Sequence, residues 1–212
     1  NLKNFDILFI DDNSKDGTRN EIDSLIKKNN NIFCIYRKRR LGVGSAHKAG
    51  LIYAYRKKYK IVITIDADGT HDPLFIKKML KKLKKSDLVI TNRFKYKKAL
   101  HDWSLIRILL TKFRYRLINF LLNISYDTSG AFRCYNLKQI KLHHILKAKN
   151  NGYSFFWEST YLLHVNKYVI NEIPIRLPFR KVGSSKMGIS HILHALFYVF
   201  YYYFKKINLI KD

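Results

Sequence analysis

Short apolar runs and helical spacings alternate along the first ninety residues of the chain. Runs rich in β-branched and aromatic residues predict buried strands at Asp6–Ile10, Ile32–Tyr36, Ile61–Ile65 and Leu88–Thr91. The segments between them place apolar residues at i, i+3 and i+4, which predicts helices that end near Asn30, Lys57 and Lys85. Such alternation with short connections is typical of an α/β fold with a mostly parallel sheet and helices on its faces.

The pattern changes after residue 95. Trp103–Leu122 is a long helical segment whose apolar residues lie on nearly all sides, interrupted by Arg107, Lys112, Arg114 and Arg116. Two interpretations remain open. The segment is either a core helix whose cations extend to solvent, or a basic amphipathic helix that lies on an anionic membrane surface.

The remaining chain predicts a smaller set of elements. A polar turn at Asp127–Gly130 passes into a strand that ends near Tyr135, a helix covers Tyr153–His164, and a last strand covers Val169–Leu177. Glu158 stands among aromatic residues, so its carboxylate needs either solvent or a buried partner. Pro178–Gly188 combines cations, hydroxyls and glycines without a regular period, which indicates a loop able to wrap an anion.

The domain organisation follows from this pattern. Residues 1–188 are expected to form one domain, and residues 189–212 an aromatic and basic segment that is a candidate membrane-interface helix. The alternative is that this segment docks on the sheet. The uncharged stretch Ile189–Phe204 is shorter than the ~20 residues that a helix needs to cross a bilayer, which disfavours a spanning helix.

Composition adds a strong charge imbalance. The 212 residues include 41 Lys and Arg against 15 Asp and Glu, which gives a formal charge of 41 − 15 = +26. Natural partners are anionic membranes, phosphorylated substrates or nucleic acid, and lysines on solvated helix faces explain part of the excess. A nucleic-acid-binding module ranks last, because the Asp-rich strand ends repel a phosphate backbone and the aromatic residues follow core spacing. Cys34 and Cys134 have no metal-like spacing and are interpreted as reduced core residues of a cytosolic protein.

Two carboxylates end the third predicted strand. Asp66 and Asp68 are two residues apart on extended backbone, so their side chains point the same way at the sheet edge where ligands bind in open α/β folds. Oxygen ligands suit Mg²⁺ or Mn²⁺. An ordinary turn is the alternative for an isolated Asp-x-Asp pair. His71 is interpreted as a turn residue before a helix that starts at Asp72-Pro73.

A glycine pair opens the second helix. Gly42 and Gly44 follow four cations, Arg37 to Arg40. Free N–H groups and the helix dipole at such a helix start suit a phosphate, and a basic surface loop is the alternative interpretation.

Five motifs together resemble those of family 2 glycosyltransferases, and within that family those of the dolichol-phosphate (polyprenol-phosphate) mannose synthases. In order they are Asp11-Asp12-Asn13-Ser14-Lys15-Asp16-Gly17-Thr18, Leu41-Gly42-Val43-Gly44, Asp66-Ala67-Asp68-Gly69-Thr70-His71-Asp72-Pro73, Ser129-Gly130-Ala131-Phe132-Arg133 and Gly183-Ser184-Ser185-Lys186-Met187. The resemblance implies the GT-A fold and inverting transfer of a sugar, with mannose favoured, from a nucleotide-sugar to a polyprenyl phosphate. GDP-mannose is the favoured donor.

The resemblance also implies roles for individual residues. The donor nucleotide and diphosphate are implied to bind at Asp11, Asp12, Gly42, Gly44 and Asp66. The metal, Mg²⁺ or Mn²⁺, is implied to bind at Asp66 and Asp68 and to bridge the donor diphosphate. Asp68 and the cations Arg133, Arg180 and Lys186 form the implied catalytic set. Thr70 stands where relatives often carry Gln or Ser, so its hydroxyl is a weaker ligand.

One departure concerns the start of the chain. The strand ending in Pro-x-Tyr-Asn-Glu that opens the family's fold is not found before Phe5, so the first strand is expected to be missing by truncation. We expect the enzyme at the cytoplasmic face of a membrane, together with an anchoring subunit or a transmembrane segment outside this sequence.

The chemical class of the acceptor determines whether the reaction needs a catalytic base. A lipid phosphate is already anionic at neutral pH, because the second ionisation of a phosphomonoester lies near pH ~6. Transfer to a sugar hydroxyl in glycan assembly, the alternative within the family, would need a carboxylate base, for which Asp127 and Glu158 are the candidates.

Overall fold

A computed structural model describes residues 5–96, 99–100, 103–176 and 197–205. The strands are β1 Ile7–Asp11, β2 Ile32–Tyr36, β3 Ile61–Thr64, β4 Leu88–Asn92, β5 Arg133–Asn136 and β6 Ile170–Pro174. The helices are α1 Thr18–Lys28, α2 Val43–Arg56, α3 Phe75–Leu83, α4 Leu105–Leu122, α5 Leu142–Leu146 and α6 Ser154–Val165. Residues 197–205 are also helical and are called the C-terminal helix here.

Local chemistry explains where the first helices begin. Gly17 precedes α1 with a φ of 85°, and Gly42 precedes α2 with a φ of 91°, a backbone region that favours glycine. Asp72 accepts a hydrogen bond of 2.8 Å from the Leu74 backbone N–H and so forms the turn before α3. The first four strands lie within about two residues of their predicted positions.

The strands form two groups. β1 and β2 pair in parallel, and the other four strands form a sheet in the order β3-β5-β4-β6. β4 and β6 are parallel, whereas β5 is antiparallel to both of its neighbours, β3 and β4. The α/β fold class is confirmed, but the expectation of a mostly parallel sheet is wrong for β5.

The connection between β4 and β5 gives the physical reason for this difference. A parallel crossover needs a helix that packs back on the sheet. α4 instead packs through Ile118 and Leu122 against Trp157 of α6 and Val199 of the C-terminal helix. Because α4 does not cover the sheet, β5 enters from the opposite end.

Helices flank both faces of the larger sheet. Leu88 and Ile90 of β4 face a core that includes Leu51 of α2 and Phe155 of α6. Val89, on the other face, packs with Met79 of α3. Alternate residues of one strand therefore contact different helix layers, as expected for a strand buried on both faces.

The two cysteines are free thiols in different environments. Cys134 is fully buried in β5, as predicted, and burial raises the pKa of its thiol to about 12. Cys34 is only partly buried, so its assignment to the core is wrong. β2 is paired with β1 alone among the described strands, which leaves one side of β2 near solvent.

Candidate active site

The turn after β3 holds Asp66 and Asp68 in a defined geometry. The Asp66 backbone N–H donates to Nδ1 of His71 at 3.1 Å. One carboxylate oxygen of Asp68 accepts from the backbone N–H of Thr70 at 3.0 Å and from its hydroxyl at 2.7 Å. His71 is buried, and burial lowers the pKa of its imidazole to about 4, so the ring is neutral near pH 7. The interpretation of His71 as a turn residue is confirmed, and Thr70 orders Asp68.

The chemistry of this turn fits a hard divalent cation. Both side chains supply carboxylate oxygens and both are partly exposed. Within residues 5–96, 99–100, 103–176 and 197–205, no group of three or more His, Cys, Asp or Glu side chains is arranged to hold a metal. A pair of carboxylates is the type of site that Mg²⁺ occupies together with substrate phosphates.

Asp11 and Asp12 lie at the end of β1 and contact different groups. Asp11 is buried, and its carboxylate accepts from the Ser14 backbone N–H at 3.2 Å. Asp12 forms an ion pair with Arg37 and accepts from the Leu41 backbone N–H at 3.2 Å. Asp12 therefore fixes the loop that leads to Gly42, and Arg37 is a site residue for which the sequence predicted no individual role.

Gly42 and Gly44 are sites of close packing. A Cβ atom at Gly42 would overlap the carbonyl oxygen of Asn151, and one at Gly44 would lie 2.5 Å from Cβ of Phe155. The Asn151 carbonyl also accepts from the Ser45 backbone N–H at 3.1 Å, at the start of α2. The glycines are therefore required for contact with residues 151–155, and their binding of a donor phosphate stays a prediction.

Arg133 has no exposed surface. Its guanidinium donates to the carbonyl oxygens of Gly130 at 2.8 Å, Thr128 at 2.8 Å and Phe156 at 2.7 Å, and to the Ser159 hydroxyl at 3.1 Å. These contacts engage all three guanidinium nitrogens and hold the 127–130 turn against α6. The catalytic role of Arg133 stays a prediction. The other two predicted cations, Arg180 and Lys186, lie outside the described residues.

A buried ion pair follows β4. Arg93 Nε and Asp127 Oδ2 lie 2.8 Å apart, and the Arg93 backbone N–H donates to the same oxygen at 3.1 Å. Burial alone would raise the pKa of Asp127, but the charge of Arg93 and the hydrogen bonds from Arg93 and Ser129 outweigh it and hold the pKa below its usual value. Sequence reasoning missed this pair. The available signal was a charged residue directly after a buried strand, at the edge where ligands bind.

Arg114 of α4 adds a second guanidinium near this pair. Burial lowers the pKa of Arg114 to about 10, the charge of Arg93 adds to the shift, and the charge of Asp127 opposes it. No hydrogen bond or ion pair of Arg114 is present within the described part of the chain. Two guanidinium groups therefore share the charge of Asp127. The neighbouring carboxylate of Glu172 is paired with Lys95, so a local positive excess remains.

Beside these groups lies a pocket of about 460 Å³ between the end of β4 and α4. Its cations are Arg93, Lys112 and Arg116, and its aromatic walls include Phe94 and Tyr115, whose ring centroids are 4.1 Å apart. Ile108 adds apolar surface. The pocket combines attraction for an anion with a lining that suits an apolar chain.

α4, which lines the pocket, also exposes apolar surface. The α4 outer face consists of six exposed side chains, Leu105, Ile106, Leu109, Leu110, Phe113 and Phe120. The opposite side of α4 buries Ile118 and Leu122. The interpretation as a core helix therefore holds for the last turns of α4, which join the core. The outer face is exposed, and its position on a membrane stays a prediction. None of the helices in the described part of the chain combines the length and apolar character needed to cross a membrane.

The α/β layers, with a carboxylate pair directly after β3, define a GT-A-type glycosyltransferase domain. A family model described as "Glycosyl transferase family 2" matches residues 1–141. The chain therefore belongs to glycosyl transferase family 2.

Two curated relatives align over most of the chain. A "Polyprenol monophosphomannose synthase" from Mycolicibacterium smegmatis is 29% identical over 196 residues, which cover 91% of this chain and 74% of the relative. An "Undecaprenyl-phosphate mannosyltransferase" from Micrococcus luteus is 29% identical over 186 residues, 86% of this chain and 76% of the relative. A solved structure from Desulfovibrio desulfuricans G20, described as a nucleotide-diphospho-sugar transferase, superposes with a TM-score of 0.47 at 10% identity, covering 93% of this chain and 77% of the other.

Proposed function

We propose that this protein transfers mannose, with inversion, from a nucleotide-sugar to a polyprenyl phosphate at a membrane surface, and that GDP-mannose is the donor. The observation that carries the proposal is the pocket between β4 and α4, where cations and apolar side chains meet beside the Arg93–Asp127 pair. The names of the two curated relatives support the same acceptor class and the same sugar.

The acceptor phosphate fits the positive excess around Arg93 and Arg114. Guanidinium groups bind phosphate oxygens through charged hydrogen bonds, and an anion here would offset the second guanidinium. Lys112 and Arg116 at the pocket wall extend this positive surface. The prenyl chain would then contact Phe94, Tyr115 and Ile108, and continue toward the α4 outer face.

The state of the buried carboxylates supports an acceptor that needs no base. Asp127 is held by Arg93 with a lowered pKa, which makes it a weak base. Glu158 is fully buried and accepts hydrogen bonds from Lys149, Asn150 and Tyr202. Neither group is placed to take a proton from a sugar hydroxyl, whereas a phosphate monoester is anionic without help.

Asp66 and Asp68 would hold the divalent metal, Mg²⁺ or Mn²⁺, through their carboxylate oxygens. Thr70 orders the carboxylate of Asp68, and His71 holds the backbone N–H of Asp66. When bound, such a metal acts as a Lewis acid that stabilises charge on the departing diphosphate. Asp12 orders the loop before Gly42. Arg133 holds the 127–130 turn, so that Asp127 is placed to orient Arg93 toward the attacking phosphate.

The α4 outer face supports a position on a membrane surface, and we place the protein on the cytoplasmic side as part of the proposal. Exposed Leu and Phe side chains on a helix that also carries Arg107, Lys112 and Arg116 match the composition of helices that lie in the interface of anionic membranes. The C-terminal helix adds exposed Phe197 and Phe204.

A donor and acceptor panel tests the proposal. Purified protein is incubated with GDP-mannose, GDP-glucose, UDP-glucose or UDP-N-acetylglucosamine, with Mg²⁺, Mn²⁺ or a chelator, and with either a polyprenyl phosphate or a saccharide acceptor. We expect mannosyl lipid only with GDP-mannose, metal and polyprenyl phosphate, and a β-linked product from the α-linked donor. Transfer to the saccharide alone would support the alternative in glycan assembly. An α-linked product would contradict inversion.

A further inference from the structure

We propose that Glu158 is a positioning residue for donor binding: it holds residues 149–151 against the Gly42–Gly44 turn, and Tyr202 of the C-terminal helix completes this arrangement. The inference rests on the proposed function, because the Gly42–Gly44 turn and Asp12 are taken to bind the donor. The C-terminal helix is thereby assigned a role in ordering the donor site, to which it is connected through a series of hydrogen-bonded residues.

Glu158 is the centre of a buried hydrogen-bond cluster. One carboxylate oxygen accepts from the Lys149 backbone N–H at 2.6 Å and from the Tyr202 hydroxyl at 2.7 Å. The other accepts from the Asn150 backbone N–H at 2.9 Å. Glu158 is 0% exposed. A buried carboxylate that loses one of its donors is left incompletely satisfied, so the three donors and the carboxylate fix one another in place.

Residues 149–152 contact the start of α2 and so link the Glu158 cluster to this helix. The Asn151 carbonyl accepts from the Ser45 backbone N–H at 3.1 Å, and its side-chain oxygen accepts from Lys48 Nζ at 3.0 Å. Ser45 N–H belongs to the first turn of α2, where N–H groups lack partners within the helix. The close approach of Asn151 to Gly42 leaves no space for a side chain there, so a shift of the loop would move the turn.

The chain of contacts continues from α2 to Asp12. The Ser45 hydroxyl accepts from Arg37 Nη1 at 2.7 Å, and Arg37 is paired with Asp12. Hydrogen bonds thus connect Tyr202, Glu158 and the 149–151 loop with Ser45, Arg37 and Asp12. Glu158 touches none of the implied donor-binding residues itself, which is why its role is to position them.

Ring packing and the hydroxyl hydrogen bond of Tyr202 can be separated. The ring lies edge-on to Trp157 and Tyr161, with centroid distances of 5.5 and 5.6 Å. These contacts survive a change to Phe, whereas the bond to Glu158 does not. Phe200 and Phe204 on the same helix are exposed.

The test compares Tyr202→Phe and Glu158→Gln with the matched control Tyr203→Phe, a neighbouring tyrosine that packs in the same cluster. With GDP-mannose we expect the first two variants to raise the donor KM and Kd by about 5–10-fold, the size of one lost charged hydrogen bond. At saturating donor, kcat stays within about twofold, and the control is unchanged. Hydrogen exchange of the Ser45 amide should accelerate in both variants and not in the control.

A purely structural role would lower the unfolding temperature without changing donor affinity or Ser45 exchange at a temperature far below unfolding. If Tyr202→Phe folds with wild-type KM, Kd and Ser45 exchange, the inference is wrong. If Glu158→Gln does not fold, Tyr202→Phe decides alone. Failure of the proposed function is a different result: wild-type protein would then neither bind GDP-mannose nor transfer mannose, and Ser45 exchange would still test the coupling.

Discussion

Arg93, directly after β4, and Asp127, in the turn before β5, meet in a buried ion pair of 2.8 Å, with only 8% and 1% of their surfaces exposed. Removing one partner of a buried ion pair costs free energy of folding, because the remaining buried charge is left without compensation. Asp127→Asn would leave both Arg93 and Arg114 without a carboxylate. We expect it to lower the free energy of unfolding by about 3 kcal/mol, measured by urea denaturation.

The double variant Asp127→Asn with Arg93→Gln is the control for this pair. It should lose less than the sum of the two single changes, because the uncompensated charge is removed as well. Additive losses would show that the pair contributes no coupling energy.

Asp68→Asn tests the metal assignment. If Asp68 is a metal ligand, its change to Asn is expected to lower mannosyl transfer by at least about 100-fold, since a metal held there would supply several kcal/mol of charge stabilisation. Asp72→Asn, in the same turn, is the matched control: Asp72 is exposed and only caps the turn before α3. Undiminished transfer by Asp68→Asn, measured with labelled donor, would exclude its role as a ligand.

Gly42→Ala tests the packing of the glycine turn. The change is expected to lower the free energy of unfolding by roughly 3 kcal/mol, because it combines backbone strain at a φ of 91° with overlap of the Asn151 carbonyl. Gly17→Ala is the control, since Gly17 has a φ of 85° and open space around it. Its cost should be only about 1 kcal/mol. Equal losses in thermal denaturation would mean that the overlap is relieved without cost.

His47 makes stability depend on pH. Burial, helped by the charges of Arg133 and His71, lowers the pKa of His47 to about 3, below the value of 6.5 in an unfolded chain. The neutral imidazole of His47 in the folded protein contributes its full stabilisation above pH 6.5. This stabilisation is lost as the pH falls from 6.5 toward 3. Between pH 7 and 5 we expect a loss of about 2 kcal/mol.

Denaturation of His47→Gln over the same pH range supplies the comparison. The variant should lack this part of the pH dependence. His71, whose pKa is lowered to about 4, loses stability over the same pH range in both proteins, so only the difference between them measures the contribution of His47. Asp127 does not interfere, because its lowered pKa confines its own loss of stability to a pH below its usual value of 3.8.

The α4 outer face can be tested with vesicles. The double change Leu109→Glu and Phe113→Glu should abolish sedimentation with phosphatidylglycerol vesicles at low salt, because it removes apolar contact and adds negative charge. Leu74→Glu is the control, since Leu74 is 78% exposed but lies before α3, on a different element. If the double variant sediments with the vesicles as well as Leu74→Glu does, the membrane contact lies elsewhere on the protein.

The sequence predicted what depends on local pattern. The strands up to β4 and the Asp66–Asp68 turn follow from apolar runs and from the residues that end them. The direction of β5 does not follow from such a pattern, because it depends on α4 packing on α6 and not on the sheet.

Long-range pairing explains the other differences. Tyr202 and Glu158 are 44 positions apart, and Arg93 and Asp127 are 34 apart, so no local period reveals either contact. Arg133 was assigned to phosphate binding by motif position, whereas its burial depends on the Phe156 carbonyl and the Ser159 hydroxyl in α6. The residue types indicated that these positions are functionally or structurally special, but their contact partners could be identified only from the folded structure.

The position of β5 between β3 and β4 has a consequence for synthesis of the chain. β3 and β4 are consecutive in sequence, yet each pairs with β5, whose first residue is Arg133. During synthesis on the ribosome, β3 and β4 therefore lack their shared partner strand until β5 has emerged. Pairing over such sequence distances slows folding and exposes strand edges to other chains. Expression at lower temperature, or with a chaperone that binds extended apolar segments, should raise the soluble yield of this protein.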